Sequence, residues 1–426
     1  MIAGTAIEGQ VGICLHRGEI NVNNEALSGL KVIEYSEFIS GPYCGKLLAD
    51  LGAEVIKVEP PGSGDKARSW GPFPQDIPHP EKSGLFLYLN TNKLGVTLNL
   101  RSATGRGIFR ELVRKADIIV ENNPPQETKA LGLDYQNLHK INPAVVVTSI
   151  TPFGQTGPYR NYKSCDLISN HMSGEAYTNP ESGVADIERQ PPLNPPSHAS
   201  DYYAGLIGAI NTMSAIIMRQ VTGLGQHVDL SQQETMAYIL CHQFDNYFDD
   251  GVSFYRETSK KSFLTSEYAC KNGYIMISTF TDAFWASLVD MMGNPDWAKS
   301  EACRSAGSRR KHLGMIKPKV KEWMMEHTIE EINQLAEANR AACVPIQSVK
   351  EAVNSELLAA RDFFVEVDHK EAGKIKFPGA PYKLSETPWK IKHPAPMMGE
   401  HNDEVYGKML GYSKDDLVKM KQTGVI

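Results

Sequence analysis

From Leu30 onward, short apolar runs alternate with segments of helical period. LKVIEYS reads as a buried strand, SGPYCGKLLADLG as a turn and helix, and AEVIKVEPP as a second strand stopped by prolines. The alternation continues: VTLNL predicts a strand, TGRGIFRELVRKA a helix, DIIVEN a strand and AVVVTSI another, each followed by a polar or Gly/Pro turn. Repeated βαβ units demand an open, mostly parallel sheet with helices on both faces. Such a Rossmann-like α/β sheet takes its ligands at the carboxyl ends of its strands, here residues 38–42, 59–65, 98–101 and 122–125.

Further along, residues 178–200 are Pro-rich and turn-like, and the run SHASDYYAGLIGAINTMSAIIM then changes abruptly into a small-residue helix over 203–218, buried on most sides. Asp201 stands at that change. Asp is a preferred N-cap, and helix-start amides favour an ionised carboxylate, so one residue can serve as cap and as nucleophile. RQVTGLGQHVDLSQQETMAYIL follows as a glycine turn, a short strand and a helix, and YACKNGYIMISTF predicts a hairpin about Asn272 and Gly273. Extended segments (FFVEVDH, GKIKFPGAPYKLSETP) lead to an expected final helix over 402–410. The resulting division is an extension over 1–28, a large Rossmann-like domain beginning at 29–220, a smaller α+β domain over 221–335, and a returning linker and C-terminal segment over 336–426.

Composition narrows the chemistry. A chain of 426 residues exceeds what one core accommodates, which agrees with two domains. The net charge of −6 argues against nucleic acid or an anionic membrane as a partner, so a polyanionic ligand has to meet a local cluster of cations. The seven cysteines are scattered, with no CxxC pair and no histidine cluster at metal spacing, which reads as reduced thiols, no metal and a cytoplasmic protein. Residues 1–28 carry Glu8, Glu19 and Glu25 and no apolar run of signal or membrane length. The first helix opens with ISGPYCG rather than GxGxxG, which leaves a dinucleotide dehydrogenase unsupported.

The blocks GLKVIEYSEFISGPYCGKLLADLGAEVIKVEPPGSGD, LNTNKLGVTLNL, ADIIVEN, FGQTGPY, FPGAPYKLSETP and APMMGEHNDEV resemble, in order and spacing, the family III CoA-transferases, whose members include formyl-CoA and carnitine CoA-transferases and, as a sister branch, 2-methylacyl-CoA racemase. The resemblance spans residues 29–412 and is nearest to the carnitine-type branch. It implies an enzyme that transfers CoA from an acyl-CoA donor to a carboxylic acid acceptor, with coenzyme A as substrate and no permanently bound cofactor. It also implies an interlocked dimer, read here as a homodimer with a heteromer as the other possibility.

The family's catalytic aspartate precedes a small-residue helix, and Asp201 occupies that place. The resemblance implies that it forms a mixed anhydride with the donor acid and then an aspartyl-CoA thioester. The turn after the first strand, Phe38, Ile39, Ser40 and Gly41, is implied to give backbone donors; some relatives have Gln where this chain has Ile39. Residue-by-residue matching implies CoA contacts for Arg101 and Lys163, an adenine and phosphate lining for Leu98 and Asn122, and a site-organising role for Asp166. Trp70 falls on the acyl pocket. Lys57, Arg68 and Lys93 are further candidates for the phosphates, with Lys93 read as a solvated surface charge, and Ala130 replaces a family arginine that Lys129 could substitute.

Racemases carry a histidine where this chain has Cys165, a residue read as packing rather than nucleophilic. That substitution removes half of a two-base mechanism. A racemase or isomerase, and a silent subunit of a hetero-oligomeric transferase, remain the alternatives. His198 either orients Asp201 or is a satisfied loop histidine. The glycine-rich lid of relatives has no counterpart in residues 251–268, and with Ile39 and Trp70 this suggests an acceptor larger or less polar than formate or oxalate. Succinyl-CoA is the donor that the family's habits suggest.

Overall fold

The computed structural model describes residues 25–180, 184, 186–251 and 264–426. Most of the expected N-terminal extension, part of the Pro-rich crossover and most of the segment matched to the lid lie outside the described residues. β1 (Lys31–Tyr35), α1 (Ser40–Ala49), β2 (Glu54–Glu59), α2 (Gly84–Leu89), β3 (Lys93–Thr97), α3 (Ala103–Lys115), β4 (Ile118–Glu121), α4 (Pro125–Leu131), α5 (Tyr135–Ile141), β5 (Val146–Thr151), α6 (Asp166–Ser173), α7 (Ala199–Thr222), β6 (His227–Ser231) and α8 (Gln232–Tyr238) follow in chain order. The six strands form one sheet in the order β3-β2-β1-β4-β5-β6, with every neighbouring pair parallel. The order reverses between β1 and β4, where ligands of open α/β sheets bind.

Both faces of the sheet are covered, which is why every residue of β4 and β5 is buried rather than every second one. On one face Val32, Val55, Ile118 and Val146 pack against Leu48 of α1 and Ala204, Ala209 and Ile216 of α7. On the other, Ile33, Ile56, Val96 and Ile119 meet Ile108 and Leu112 of α3, with Val405, Tyr406, Leu417 and Ile426 from the chain's end. A second core lies around a three-stranded sheet of β7 (Ser266–Cys270), β8 (Gly273–Ile277) and β9 (Cys343–Pro345), and includes Trp285, Ile316 and Ile332. The expected hairpin at Asn272 and Gly273 is the antiparallel pair β7–β8. Among the described residues no helix is long and apolar enough to cross a membrane.

Several expectations need correction. The third strand is KLGVT rather than VTLNL: β2 ends at Glu59, whose carbonyl takes the Leu98 amide, and the Asn99 amide turns away to the Val425 carbonyl. β6 lies past residue 220 yet is the sixth strand of the large sheet. The expected helix over 402–410 is a π-helix at Asp403–Met409, and it is not the last: Lys414–Gln422 follows, opened by a Ser413–Asp416 capping box. Asp201 is not the N-cap of its helix. α7 starts two residues earlier, and His198 is the cap.

Candidate active site

α7 reaches the switch point because it is built from small residues. A side chain on Gly205 would stand 2.6 Å from the Ser40 carbonyl oxygen, so only glycine lets α7 lie this close to the start of α1. The chain enters α7 through two consecutive left-handed residues, Ser197 (φ 66°) and His198 (φ 57°), a conformation that costs non-glycine residues roughly 1–3 kcal/mol each. His198 supplies no capping bond. Asp166 does the work instead: its Oδ1 accepts from the Ser200 amide (2.9 Å) and the Ser200 hydroxyl (2.8 Å), and its Oδ2 accepts from Asn194 (3.1 Å). The first turn of α7 is thereby fixed, and Asp201 with it.

Asp201 is 7% exposed and lines a cavity of about 790 Å³ with Phe38, Ile39, Ser40, Trp70, Asn122 and Asp166. Gln232 Nε2 donates to its Oδ1 at 2.7 Å, and His198 Nδ1 stands 3.6 Å from Oδ2, an ion-pair distance rather than a hydrogen bond. Burial pushes the Asp201 carboxyl above its ordinary range, the Asp166 carboxylate adds to this, and His198 and Gln232 oppose it. The ionisation expected of a helix start is thus resisted by desolvation. His198 is raised in turn by its contact with Asp201, against its own burial. Its buried Nδ1 makes no hydrogen bond, so it is not a satisfied loop histidine. Its ring meets Phe38 (5.2 Å) and Trp70 (5.9 Å) edge to face, and Phe38 meets Trp70 at 5.3 Å, forming an aromatic cluster beside the carboxylate.

The turn before α1 is held by Asn122, which accepts from the Glu37 amide (2.9 Å) and donates to the Glu37 carbonyl (2.7 Å) and to Ser40 Oγ (3.2 Å). Phe38, left-handed at φ 69°, gives its amide to Asp65 at 2.8 Å. Gly41, buried in the first turn of α1, lies behind this wall. A second cavity of about 780 Å³ contains Leu98 and Arg101 and shares Glu37, Lys66, Ser69, Asn123 and Glu127 with the first. The two make a continuous groove along the carboxyl ends of the strands. Arg101 is open to solvent, 3.9 Å from Glu127. Lys163 is exposed and lines neither cavity.

The readings of Lys57 and Arg68 as phosphate contacts and of Lys93 as a solvated surface charge are corrected. Lys57 is completely buried, 2.9 Å from Glu34 and 2.7 Å from Asp65; Lys93 is buried 2.7 Å from Glu34; and Arg68 forks onto Glu59 at 2.6 and 2.8 Å. Each has its carboxylate partners inside the protein and none faces the groove. Cys165 is also not a packing residue, since it is exposed and lines the first cavity. The reading of the sequence missed Gln232, Ser69, Asn123 and Lys66. Gln232 had a signal: SQQE after a strand marks a helix start at a strand's carboxyl end, with Ser231 capping Glu234. Among the described residues no group of His, Cys, Asp and Glu could hold a metal ion.

The arrangement combines a buried carboxylate, a continuous groove at the switch point and an apolar wall. The family model described as CoA-transferase family III matches residues 27–402. A formyl-CoA:oxalate CoA-transferase of Rhodopseudomonas palustris is 31% identical, covering 94% of this chain and 97% of its own. A succinyl-CoA–L-malate CoA-transferase beta subunit of Chloroflexus aurantiacus is 30% identical over 94% of this chain and 98% of its own. The crystal structure of a CaiB/BaiF family protein from Brucella suis superposes with a TM-score of 0.78 at 28% identity, covering 91% of this chain and 100% of that one. The chain belongs to CoA-transferase family III and is an enzyme that transfers CoA.

Proposed function

We propose that this enzyme moves CoA from an acyl-CoA to a carboxylic acid through covalent intermediates on Asp201. The observation that carries the reading is the Asp201 carboxylate itself: buried in the cavity wall at the switch point, bound at Oδ1 by Gln232 and without a hydrogen bond at Oδ2. Oδ2 attacks the donor's thioester carbon, the C–S bond breaks, and CoA thiolate leaves with the electron pair. The thiolate returns to Cγ of the mixed anhydride, expels the donor acid and leaves an aspartyl-CoA thioester. The acceptor carboxylate reverses these steps. Because both intermediates are activated acyl groups, the protein's task is to position the reactants and stabilise oxyanions. The α1 start at Ile39 and Ser40 has no capping side chain, which leaves first-turn amides for the thioester carbonyl.

CoA lies along the groove in this reading, with its phosphates towards Arg101 and Lys66, its adenine near Leu98 and Lys163 closing on it from outside. The acceptor meets Phe38, Ile39, Trp70, Ile150 and Leu167. Such a wall suits an acid with an apolar or aromatic body better than oxalate or L-malate, the acids named for the two relatives. A homodimer fits the apolar side chains that α7 leaves exposed, among them Ile210, Ile217, Met218 and Val221. The test is a CoA-exchange screen of the purified enzyme against a panel of acids, read by mass spectrometry. Branched and aromatic monocarboxylates are expected to exchange faster than oxalate and malate; the reverse order would reject the acceptor assignment.

A further inference from the structure

We propose that Gln232 is a catalytic residue whose side-chain amide stabilises the oxyanion each time Cγ of Asp201 is attacked. The proposal rests on the reading of Asp201 as the acyl-carrying carboxylate. Gln232 opens α8 directly after β6 and turns its side chain inwards, where it is 5% exposed. The two ends of its amide are not interchangeable. Ser169 Oγ, fully buried on α6, stands 3.2 Å from Oε1, and Nε2 stands 2.7 Å from Asp201 Oδ1. A carboxylate oxygen only accepts hydrogen bonds, so the end facing Asp201 is the donor, and the Ser169 hydroxyl, which can donate, satisfies Oε1. Gln232 is the one side chain among the described residues that reaches the Asp201 carboxylate within 3 Å.

This asymmetry assigns different fates to the two carboxylate oxygens. When Oδ2 bonds to the donor's acyl carbon and the C–S bond breaks, Oδ1 becomes the carbonyl oxygen of the aspartyl half of the anhydride. Thiolate attack on Cγ drives the carbonyl electron pair onto Oδ1, and collapse breaks the Cγ–Oδ2 bond, so the donor acid departs with Oδ2. Attack of the acceptor carboxylate on the thioester places an electron pair on Oδ1 again before the C–S bond breaks and the thiolate leaves. In both events the new charge develops on the oxygen that already holds the Gln232 N–H, where a pre-positioned donor is most effective. The first attack differs, because its charge develops on the donor's own oxygen. Ile39 brings no polar side chain to share the task.

Gln232→Leu is therefore expected to spare anhydride formation and slow every step at Cγ, with kcat down by about 10²–10³-fold and the KM for acyl-CoA little changed. The experiment is a single turnover of full-length enzyme in excess over one acyl-CoA, without acceptor, with free CoA and free donor acid separated by chromatography and the Asp201 peptide weighed. Wild-type enzyme is expected to release donor acid and retain CoA on Asp201, whereas Gln232→Leu is expected to release free CoA well ahead of donor acid. Gln232→Glu, which keeps the size and regains a donor when protonated, should recover activity relative to wild type at the same pH as the pH falls. If wild type forms no adduct at Asp201, the parent mechanism fails and takes this proposal with it. Should wild type form the thioester while Gln232→Leu partitions identically and Gln232→Glu shows no such recovery, Gln232 alone is excluded.

Discussion

Two clusters of buried charge meet the turn between β1 and α1, and they are built on opposite principles. Below it, Glu34, Lys57, Lys93 and Asp65 form a chain of ion pairs at 2.7–2.9 Å, all at most 2% exposed, and Asp65 passes the order on by holding the Phe38 amide. Burial pulls Lys93 down to about 8, whereas Lys57, which burial alone would also lower, is held above its ordinary value by Asp65 and Glu34. In the Asp201 cluster two carboxylates stand close together, and His198, which carries a charge only when protonated, is 3.6 Å away. The first cluster satisfies its charges and supports the fold. The second leaves a carboxylate underneutralised, the state in which it can act as a nucleophile.

The sharpest way to break this contrast is to exchange the consequences of mutation. Asp201→Asn is expected to reduce CoA transfer by at least about a thousandfold. Its stability should be unchanged or higher. Burial raises the folded-state pKa of Asp201, so its ionisation costs stability as the pH rises through that value, and an amide removes the cost. Glu34→Ala should do the converse. It leaves Lys57 and Lys93 without a shared partner and is expected to cost about 3–5 kcal/mol, read by chemical denaturation, with near-normal activity per folded molecule.

A smaller effect sharpens the second cluster. The proposed mechanism requires the ionised form of Asp201, whose pKa is raised, so activity should fall on acidification at a pH above the ordinary carboxylate range. His198→Ala removes a lowering influence and should move this acid limb upwards; Asp166→Asn, which keeps an acceptor for Ser200, should move it downwards. A pH–rate profile in which both variants shift in the same direction would contradict the electrostatic account. The smallest expected effect lies in the groove. Arg101→Ala should raise the KM for acyl-CoA about fivefold, the scale of an exposed charge contact of ~1 kcal/mol, without changing kcat or stability.

The parallel sheet was legible because β1, β2, β4 and β5 carry short apolar stretches between helix-period segments, and the switch point followed from that order. Asp201, Asp166, Trp70 and the turn at residues 38–40 line one cavity. The buried lysines were misread because charge in a sequence carries no sign of its partner: Lys57 and Glu34 are far apart along the chain but adjacent across the β1–β2 pair. His198 was named beside Asp201 with its role left open, and Gln232 was passed over although SQQE marks its helix start. Their contacts with Asp201 arise from a left-handed entry into α7 and from the helix that follows β6, and neither contact has a hydrophobic period.

The most direct test of the account is to incubate the enzyme with acyl-CoA and hydroxylamine and weigh the peptide that contains Asp201. The account predicts a hydroxamate at Asp201 that is absent from Asp201→Asn, together with loss of CoA transfer in that variant. An unmodified Asp201, with CoA transfer retained by Asp201→Asn, would contradict it.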